Sequence, residues 1–404
     1  MIGALAGVTA AFAGLGVAQA LVASRLVAAF ARTPAAVPAD RPSVTILKPL
    51  HGDEPMLEAA LTTLCRQDYP HSQIVFGVQD MADPAADVVR RLQVRFPQAD
   101  IALVIDATLH GANRKVGNLI NMMTAARHDV LVIADSDVHV RPDYLDRLVE
   151  ALQRPNVGLV TTLYAGLPAP SSALPGRLGA TQITHTFLPG AVLSRRFGRQ
   201  DCLGATMCLR RRDLARIGGL QALADHLADD AVLGRRIAAL GLRVELAHAV
   251  PLTTVPESRF RALFRHELRW ARTIRALEPA GFAASVLQHP LAWSLLTILL
   301  AGGAPWSIGW FLITWVLRAV AALGVDSALA PLWTDERSSN DEAALAFSCP
   351  VWLLPLRDIL SVVVMLASYG GRQVTWRGHD LHADTPPPAQ HPITLGPIEG
   401  INAR

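Results

Sequence analysis

Asp135-Ser136-Asp137 follows directly on the apolar run VLVIA. Two carboxylates one residue apart, at the end of a buried strand, can share one hard divalent cation. Such a cation takes oxygen ligands and would bridge the diphosphate of a nucleotide-sugar. It would stabilise the negative charge that grows on a departing UDP. A turn or helix cap is the plainer use of Asp and Ser, so the pattern gains weight only from its neighbours.

Those neighbours are acidic and basic groups at other element ends. Asp80 closes an earlier strand in ValGlnAspMetAlaAspPro, where a carboxylate can accept hydrogen bonds from a uracil ring or a ribose. Asp83 precedes Pro84 and reads as a helix cap. The stretch 111–121 opens a helix on which Lys115, Asn118 and Asn121 fall about one turn apart. Lysine and amides at a helix start suit phosphates or sugar hydroxyls; the bland alternative is a solvated face. Lys48 ends the first strand before HisGlyAspGlu and reads similarly, as a contact to a phosphate or sugar; it and Lys115 are the only lysines of the chain. Asp229-Asp230 begins a further helix, whose dipole favours ionised carboxylates. An ionised Asp beside a hydroxyl can act as general base. Asp230 is assigned that role, with Asp229 a capping or sugar-contacting neighbour. In RFRALFRHELRWARTIR, His266, Arg269 and Trp270 share one helix face. There Arg can pair with a diphosphate and the indole can pack on a sugar or acceptor. The same helix also reads as an amphipathic membrane-surface element.

The elements that must position these groups are legible as alternation. Apolar β-type runs occur at 44–50, 73–80, 101–106, 130–135 and 157–164, with helical stretches near 55–66, 84–96, 115–126 and 142–153. This predicts βαβ units and a mostly parallel sheet with helices on both faces. Ligands of such sheets bind beyond the carboxyl ends of the strands, where the acidic candidates lie.

Apolar segments flank that unit. Hydrophobic residues make up 51% of the 404, and mean hydropathy is +0.30. Residues 2–24 carry no charge and are long enough to span a bilayer. No basic region precedes them, which favours an uncleaved anchor over a signal peptide. Arg25, Arg32 and Arg41, just after this segment, place the adjoining unit in the cytoplasm. Further apolar segments lie at 291–301, 304–323 and 349–369. The first two are two short spans or one broken one. A polar, acidic stretch (326–347) precedes the third. The expected organisation is an anchor at 1–31, a linker at 32–42, a cytoplasmic catalytic unit at 43–282 ending in an interfacial helix, membrane segments at 283–369, and a disordered tail at 370–404. Four cysteines without CxxC spacing argue against zinc or disulfides. A net charge of +3 without a basic run interleaved with aromatics points away from nucleic acid.

Taken together, Asp80, the AspSerAsp of 135–137, Asp230 and the HisGluLeuArgTrp of 266–270 resemble the D, D, D, (Q/R)XXRW signature of processive-type family 2 and ceramide glucosyltransferase (family 21) enzymes. The likeness covers roughly residues 43–275. The segments ThrIleLeuLysProLeuHisGly, ValGlnAspMetAlaAspPro, HisLeuAlaAspAsp and HisGluLeuArgTrpAlaArgThrIleArg look closest to the hopanoid-biosynthesis branch, whose enzymes put N-acetylglucosamine on bacteriohopanetetrol. The resemblance implies a GT-A fold and inversion at the anomeric carbon. It implies Asp230 as base, Mg²⁺ or Mn²⁺ held chiefly by Asp137 with Asp135, UDP recognition by Asp80, and pyrophosphate contact by Arg269 and Trp270. A UDP-sugar donor, a lipid acceptor (hopanoid or ceramide-like) and a multi-pass place in a bacterial inner membrane are implied by it too. His266 departs from the pattern, which has Gln or Arg there, and Ala231 stands where many relatives carry an aromatic. The rival readings are a ceramide glucosyltransferase using UDP-glucose, a polysaccharide synthase (which wants a larger membrane bundle), and a catalytically silent UDP-sugar-binding scaffold.

Overall fold

The structure, a computed structural model, describes residues 2–34, 37–333, 344–371, 373–376 and 379–382. Short Val- and Ile-rich runs bounded by turn residues form strands, and amphipathic stretches between them form helices. After the long helix α1 (Ile2–Ala31) come β1 (Val44–Pro49), α2 (Leu57–Cys65), β2 (Ser72–Val78), α3 (Pro84–Arg95), β3 (Asp100–Ile105), α4 (Arg114–Met122), β4 (Val130–Ala134), β5 (Val138–His139), α5 (Tyr144–Gln153) and β6 (Val157–Thr161). The chain continues through β7 (Ala165–Pro168), α6 (Ala173–Gln182), a π-helical turn at Ile183–Phe187, α7 (Leu188–Arg196), β8 (Thr206–Arg210), α8 (Arg211–Arg216), α9 (Asp229–Ala239), β9 (Arg243–Leu246), β10 (Leu252–Val255) and α10 (Phe260–Leu277).

The main sheet runs β3-β2-β1-β4-β8-β6-β9. Its first four strands are parallel, as is the β6–β9 pair, and only β8 runs against its neighbours β4 and β6. All of β4 is buried, as expected for a central parallel strand. Leu61, Val89 and Leu148 of α2, α3 and α5 pack on one face of the sheet. Leu119, Leu214 and Ile237 of α4, α8 and α9 cover the other. A second small sheet, β5-β10-β7, leans on the end of β4. It includes strands that are two to four residues long, too short for periodicity to reveal.

The C-terminal part continues with α11 (Pro279–Ala284), α12 (Pro290–Leu300), α13 (Pro305–Leu329) and α14 (Leu354–Ser368). Among the described residues, three helical stretches are long and apolar enough to cross a membrane: 2–31, 305–332 and 344–368. Residues 279–288 and 290–300 form a bent pair, at 67°. Thus 305–332 is long enough to be a span by itself, and α12 is one arm of a bent element. Gly302 and Gly303, both at positive φ, and Pro305 at the start of α13 make the break. α1 packs on both helices: the hydroxyls of Thr9 and Thr297 lie 2.8 Å apart, and Trp310 donates to the carbonyl of Ala10 at 3.2 Å. Leu5, Leu15, Ile313 and Val316 on the outer faces stay exposed, a surface suited to lipid.

The tail corrects one expectation. Within the segment expected to be disordered, Gln373–Trp376 and His379–His382 pair as an antiparallel hairpin. Residues 383–404 of that segment, 334–343 of the acidic stretch and 35–36 of the linker lie outside the described residues. All four cysteines are free thiols.

Candidate active site

The turn after β4 is built to hold two carboxylates at the sheet edge. The amide of Val138 donates to the carbonyl of Asp135, closing the turn, and the amide of Thr254 on β10 donates to the carbonyl of Asp137. The Thr253 hydroxyl donates to Asp137 Oδ2 at 2.7 Å. Asp135 accepts from Lys115 Nζ at 2.6 Å, and the same ammonium lies 3.7 Å from Asp229 Oδ2. One lysine therefore joins the DxD turn to the start of α9.

That junction depends on a loop contact. Asn113 caps α4 by accepting from the amide of Val116, and its side-chain amide donates to the carbonyl of His226 and to Asp229 Oδ1. Gly111, at φ +145°, packs against the carbonyl of Ala224, where a Cβ would come within 2.7 Å. The loop before α4 thus docks on the loop before α9.

Asp230 turns toward Gly204, whose missing Cβ leaves room: a Cβ there would lie 2.8 Å from Asp230 Oδ2. Burial and then the charge of Asp229 push the Asp230 carboxyl up to about 6. Desolvation thus raises a carboxyl whose ionised form the helix dipole favours, and near neutral pH it still carries its charge. Neither Asp caps α9, whose N-cap is Ala228 without a side-chain bond. Burial and the neighbouring Asp135 raise Asp137 to about 6 as well. Asp229 is also raised, by burial, against the pull of Lys115.

Lys48 behaves otherwise than expected. It is fully buried, donating to the carbonyl of Val138 at 3.2 Å. Burial lowers it to about 8, while Asp137, Asp135 and Glu54 pull the other way. It supports the DxD turn from beneath as a counter-charge and does not reach outward to a ligand.

Of the α4 face, only Lys115 joins this cluster. Asn118 gives its amide to the carbonyl of Gly77, and Asn121 gives its own to the carbonyls of Asp106 and Thr108. Steps of three residues precess by about 60° on a helix, so the two amides wind away from Lys115. They anchor loops. Asp83 caps α3 and also accepts from the amide of Gly52. Asp80 is exposed, with Oδ1 accepting from Ala82 N–H. It stands apart from the cluster, two strands over on the same sheet edge, about 10 Å laterally.

α10 forms the other wall. His266 Nδ1 bonds Glu257, and the His266 ring stands edge-on to Trp270, centroids 4.6 Å apart. Burial would raise Glu257, but the His266 bond and charge and the Arg269 guanidinium bring it below its ordinary value. Trp270 packs in one cluster with Tyr164 and Phe187. Tyr164 is raised by burial and by the charges of Asp230, Asp135 and Asp137, so this aromatic wall borders the acidic cluster. Tyr164, Glu54, Glu257 and Asn113 were not singled out in the sequence. Only HisGlyAspGlu after the first strand and the tyrosine ending VGLVTTLY offered a signal.

Among the described residues, no group of three or more His, Cys, Asp or Glu is placed to hold a metal. A magnesium-like ion is commonly held by one or two carboxylates with substrate phosphates completing the shell, and Asp135 and Asp137 offer that pair. The local charge fits as well. Five carboxylates (Glu54, Asp135, Asp137, Asp229 and Asp230) face two ammonium groups, Lys48 and Lys115, a negative excess that a divalent cation would reduce.

The sequence model of Glycosyl transferase family 21 matches residues 8–387. A ceramide glucosyltransferase of Komagataella phaffii is 36% identical over 123 residues, 29% of this chain and 24% of that protein. Ceramide glucosyltransferase 1 of Caenorhabditis elegans is 22% identical over 261 residues, 63% of this chain and 54% of that protein. The matches therefore span from about a quarter to about half the length of these relatives. Among solved structures, a mannosyltransferase from Pyrobaculum calidifontis, in complex with GDP-Man and Mn²⁺, aligns with TM-score 0.51 at 21% identity. The alignment covers 91% of this chain and 99% of that one. The likeness is one of fold, GT-A-like.

Proposed function

We propose, proceeding from the fact that this chain belongs to glycosyl transferase family 21, that it is an inverting, metal-dependent transferase moving a sugar from a UDP-sugar to a hydroxyl of a membrane lipid. The observation that carries this reading is the single cluster in which Lys115 links the DxD turn to the Asp229-Asp230 helix start. The aromatic wall of Tyr164, Phe187 and Trp270 beside it, in a chain with three candidate membrane spans, suits a lipid acceptor.

In this mechanism Asp230 takes the proton of the acceptor hydroxyl. The hydroxyl oxygen attacks the anomeric carbon, the bond from that carbon to the UDP oxygen breaks, and configuration inverts. A carboxyl raised to about 6 is well matched to this work near neutral pH. Asp135 and Asp137 would hold Mg²⁺ or Mn²⁺, which when bound supplies Lewis-acid stabilisation of the departing diphosphate. Lys115 and Arg269 add positive charge on the diphosphate side, Asp80 addresses the uridine, and Trp270 packs on the sugar or acceptor. The catalytic unit spans 43–282 and faces the cytoplasm of a bacterial inner membrane.

For donor and acceptor, the reading is N-acetylglucosamine onto the hopanoid bacteriohopanetetrol, supported by the motif segments around Lys48 and Asp230. A second reading, glucose onto ceramide, is favoured by the relatives of that name. Membranes containing the chain, incubated with labelled UDP-GlcNAc or UDP-Glc and with either lipid, separate the two. Label in the hopanoid only from UDP-GlcNAc supports the first, and label in ceramide from UDP-Glc replaces it with the second. No lipid-linked label from any pair would leave the silent scaffold.

A further inference from the structure

Arg357, on α14, has a fully buried side chain. Its guanidinium forks onto Glu267 of α10, Nη1 to Oε1 at 2.6 Å and Nη2 to Oε2 at 2.7 Å. It also donates to Ser361 Oγ at 3.1 Å and to the carbonyl of Leu178 on α6 at 3.3 Å. Ser361 in turn donates to Gln182, the last residue of α6. Gln182 leads straight into the π-helical turn that carries Phe187. Glu267 lies between His266 and the Arg269-Trp270 pair. One guanidinium thus grips both segments that build the aromatic wall.

We infer that Arg357 and Glu267 are positioning residues that set the roll of α10 and its spacing from the π-helical turn. At about 100° per residue, Glu267 projects nearly opposite Arg269. With both carboxylate oxygens taken in a fork, α10 cannot roll without breaking a buried ion pair. The apolar contacts around the pair are less directional. Leu178, Leu263 and Leu353 meet on one side, and Ala271, Val364 and Met365 on the other. They hold the helices together, while the fork fixes their angle. Through it the membrane-side helix α14 governs where His266, Arg269 and Trp270 stand. The consequence for turnover rests on the glycosyltransferase reading; the mechanical coupling does not.

The test uses the full chain in lipid nanodiscs. Arg357→Lys keeps the charge and loses the fork. It should lower kcat by about 10- to 100-fold, as misplacing reacting groups by up to about 1 Å does, with donor KM within about 2-fold of wild type. Amide exchange should quicken over residues 178–187 and 260–277 and stay unchanged over 130–137. The paired change Glu267→Leu with Arg357→Met removes the buried charges together. It should restore the Tm lost in Glu267→Leu alone, yet leave kcat low. Wild-type kcat in the paired variant, or wild-type exchange and turnover in Arg357→Lys, would overturn the inference. Should the wild-type chain transfer no sugar, the proposed function fails, and the exchange pattern alone decides the coupling.

Discussion

Lys115 Nζ lies 2.6 Å from Asp135 Oδ1, so the first carboxylate of the DxD turn is tied to a lysine from a different crossover helix. The same ammonium approaches Asp229 at 3.7 Å. The AspSerAsp turn and a helix-start acid pair, far apart in the chain, are held as one electrostatic unit.

Asp230→Asn keeps the volume of the side chain and removes its basicity. Transfer should fall by about 10²- to 10⁴-fold, the range for general-base loss, while UDP affinity stays near wild type. Single-turnover assays with parallel UDP titration measure both. Retained turnover would remove the base assignment.

Asp137 and Asp230, each raised to about 6, set a pH dependence with a definite sign. The stability they contribute is fully present below the ordinary value of 3.8 and is lost as pH rises through about 6. Their repulsion is therefore strongest above pH 6, where a cation relieves it. Mn²⁺ with UDP should raise Tm more at pH 7.5 than at pH 5. Activity should show an acidic limb near pH 6 that belongs to the carboxylate cluster as a whole. Equal Tm gains at both pH values would count against the cluster.

Replacing Lys115 with Met removes the charge that lowers both Asp229 and Asp230. The acidic limb of kcat/KM should move to higher pH, so that activity at pH 6 suffers more than at pH 8. Loss of Lys115 should also cost stability, less than the ~3–5 kcal/mol of a fully buried pair, because Asp135 is partly exposed to solvent. A pH–rate profile and urea unfolding read the two effects separately. An unmoved limb would mean Lys115 does not act on the base.

Gly204→Ala places a methyl 2.8 Å from Asp230 Oδ2, closer than carbon and oxygen tolerate. The base must swing aside, lowering kcat with little change in donor KM. Steady-state kinetics test this, and an unaffected kcat would show that Asp230 has room elsewhere.

The strands β1 to β4 and β6 were legible because each is a short apolar run closed by a turn. The helices α2 to α5 were legible from their amphipathic spacing. Strands β5, β7, β9 and β10 escaped because two to four residues carry too little period, and β8 because TMCLR is no run of β-branched apolar residues and reverses direction in the middle of a parallel sheet. At the site, Asp135, Asp137, Asp229 and Asp230 could be read from position at element ends. The burial of Lys48, the winding of Asn118 and Asn121 away from Lys115, and the arrival of Tyr164 and Glu257 are set by tertiary packing, which local spacing does not encode. Glu267 illustrates the same limit. It reads as one more surface charge of an amphipathic helix until Arg357, 90 positions on, meets it.

The central claim is that Asp137 and Asp135 hold a divalent ion for a nucleotide diphosphate. It is tested most directly by titrating UDP into the purified full chain with Mn²⁺ and with chelator, for wild type and Asp137→Ala. The account predicts that wild-type affinity falls at least about 10-fold when Mn²⁺ is chelated, and that Asp137→Ala binds UDP weakly whether or not the ion is present. Equal UDP affinity in all four titrations, or an undiminished response to Mn²⁺ in Asp137→Ala, would contradict it.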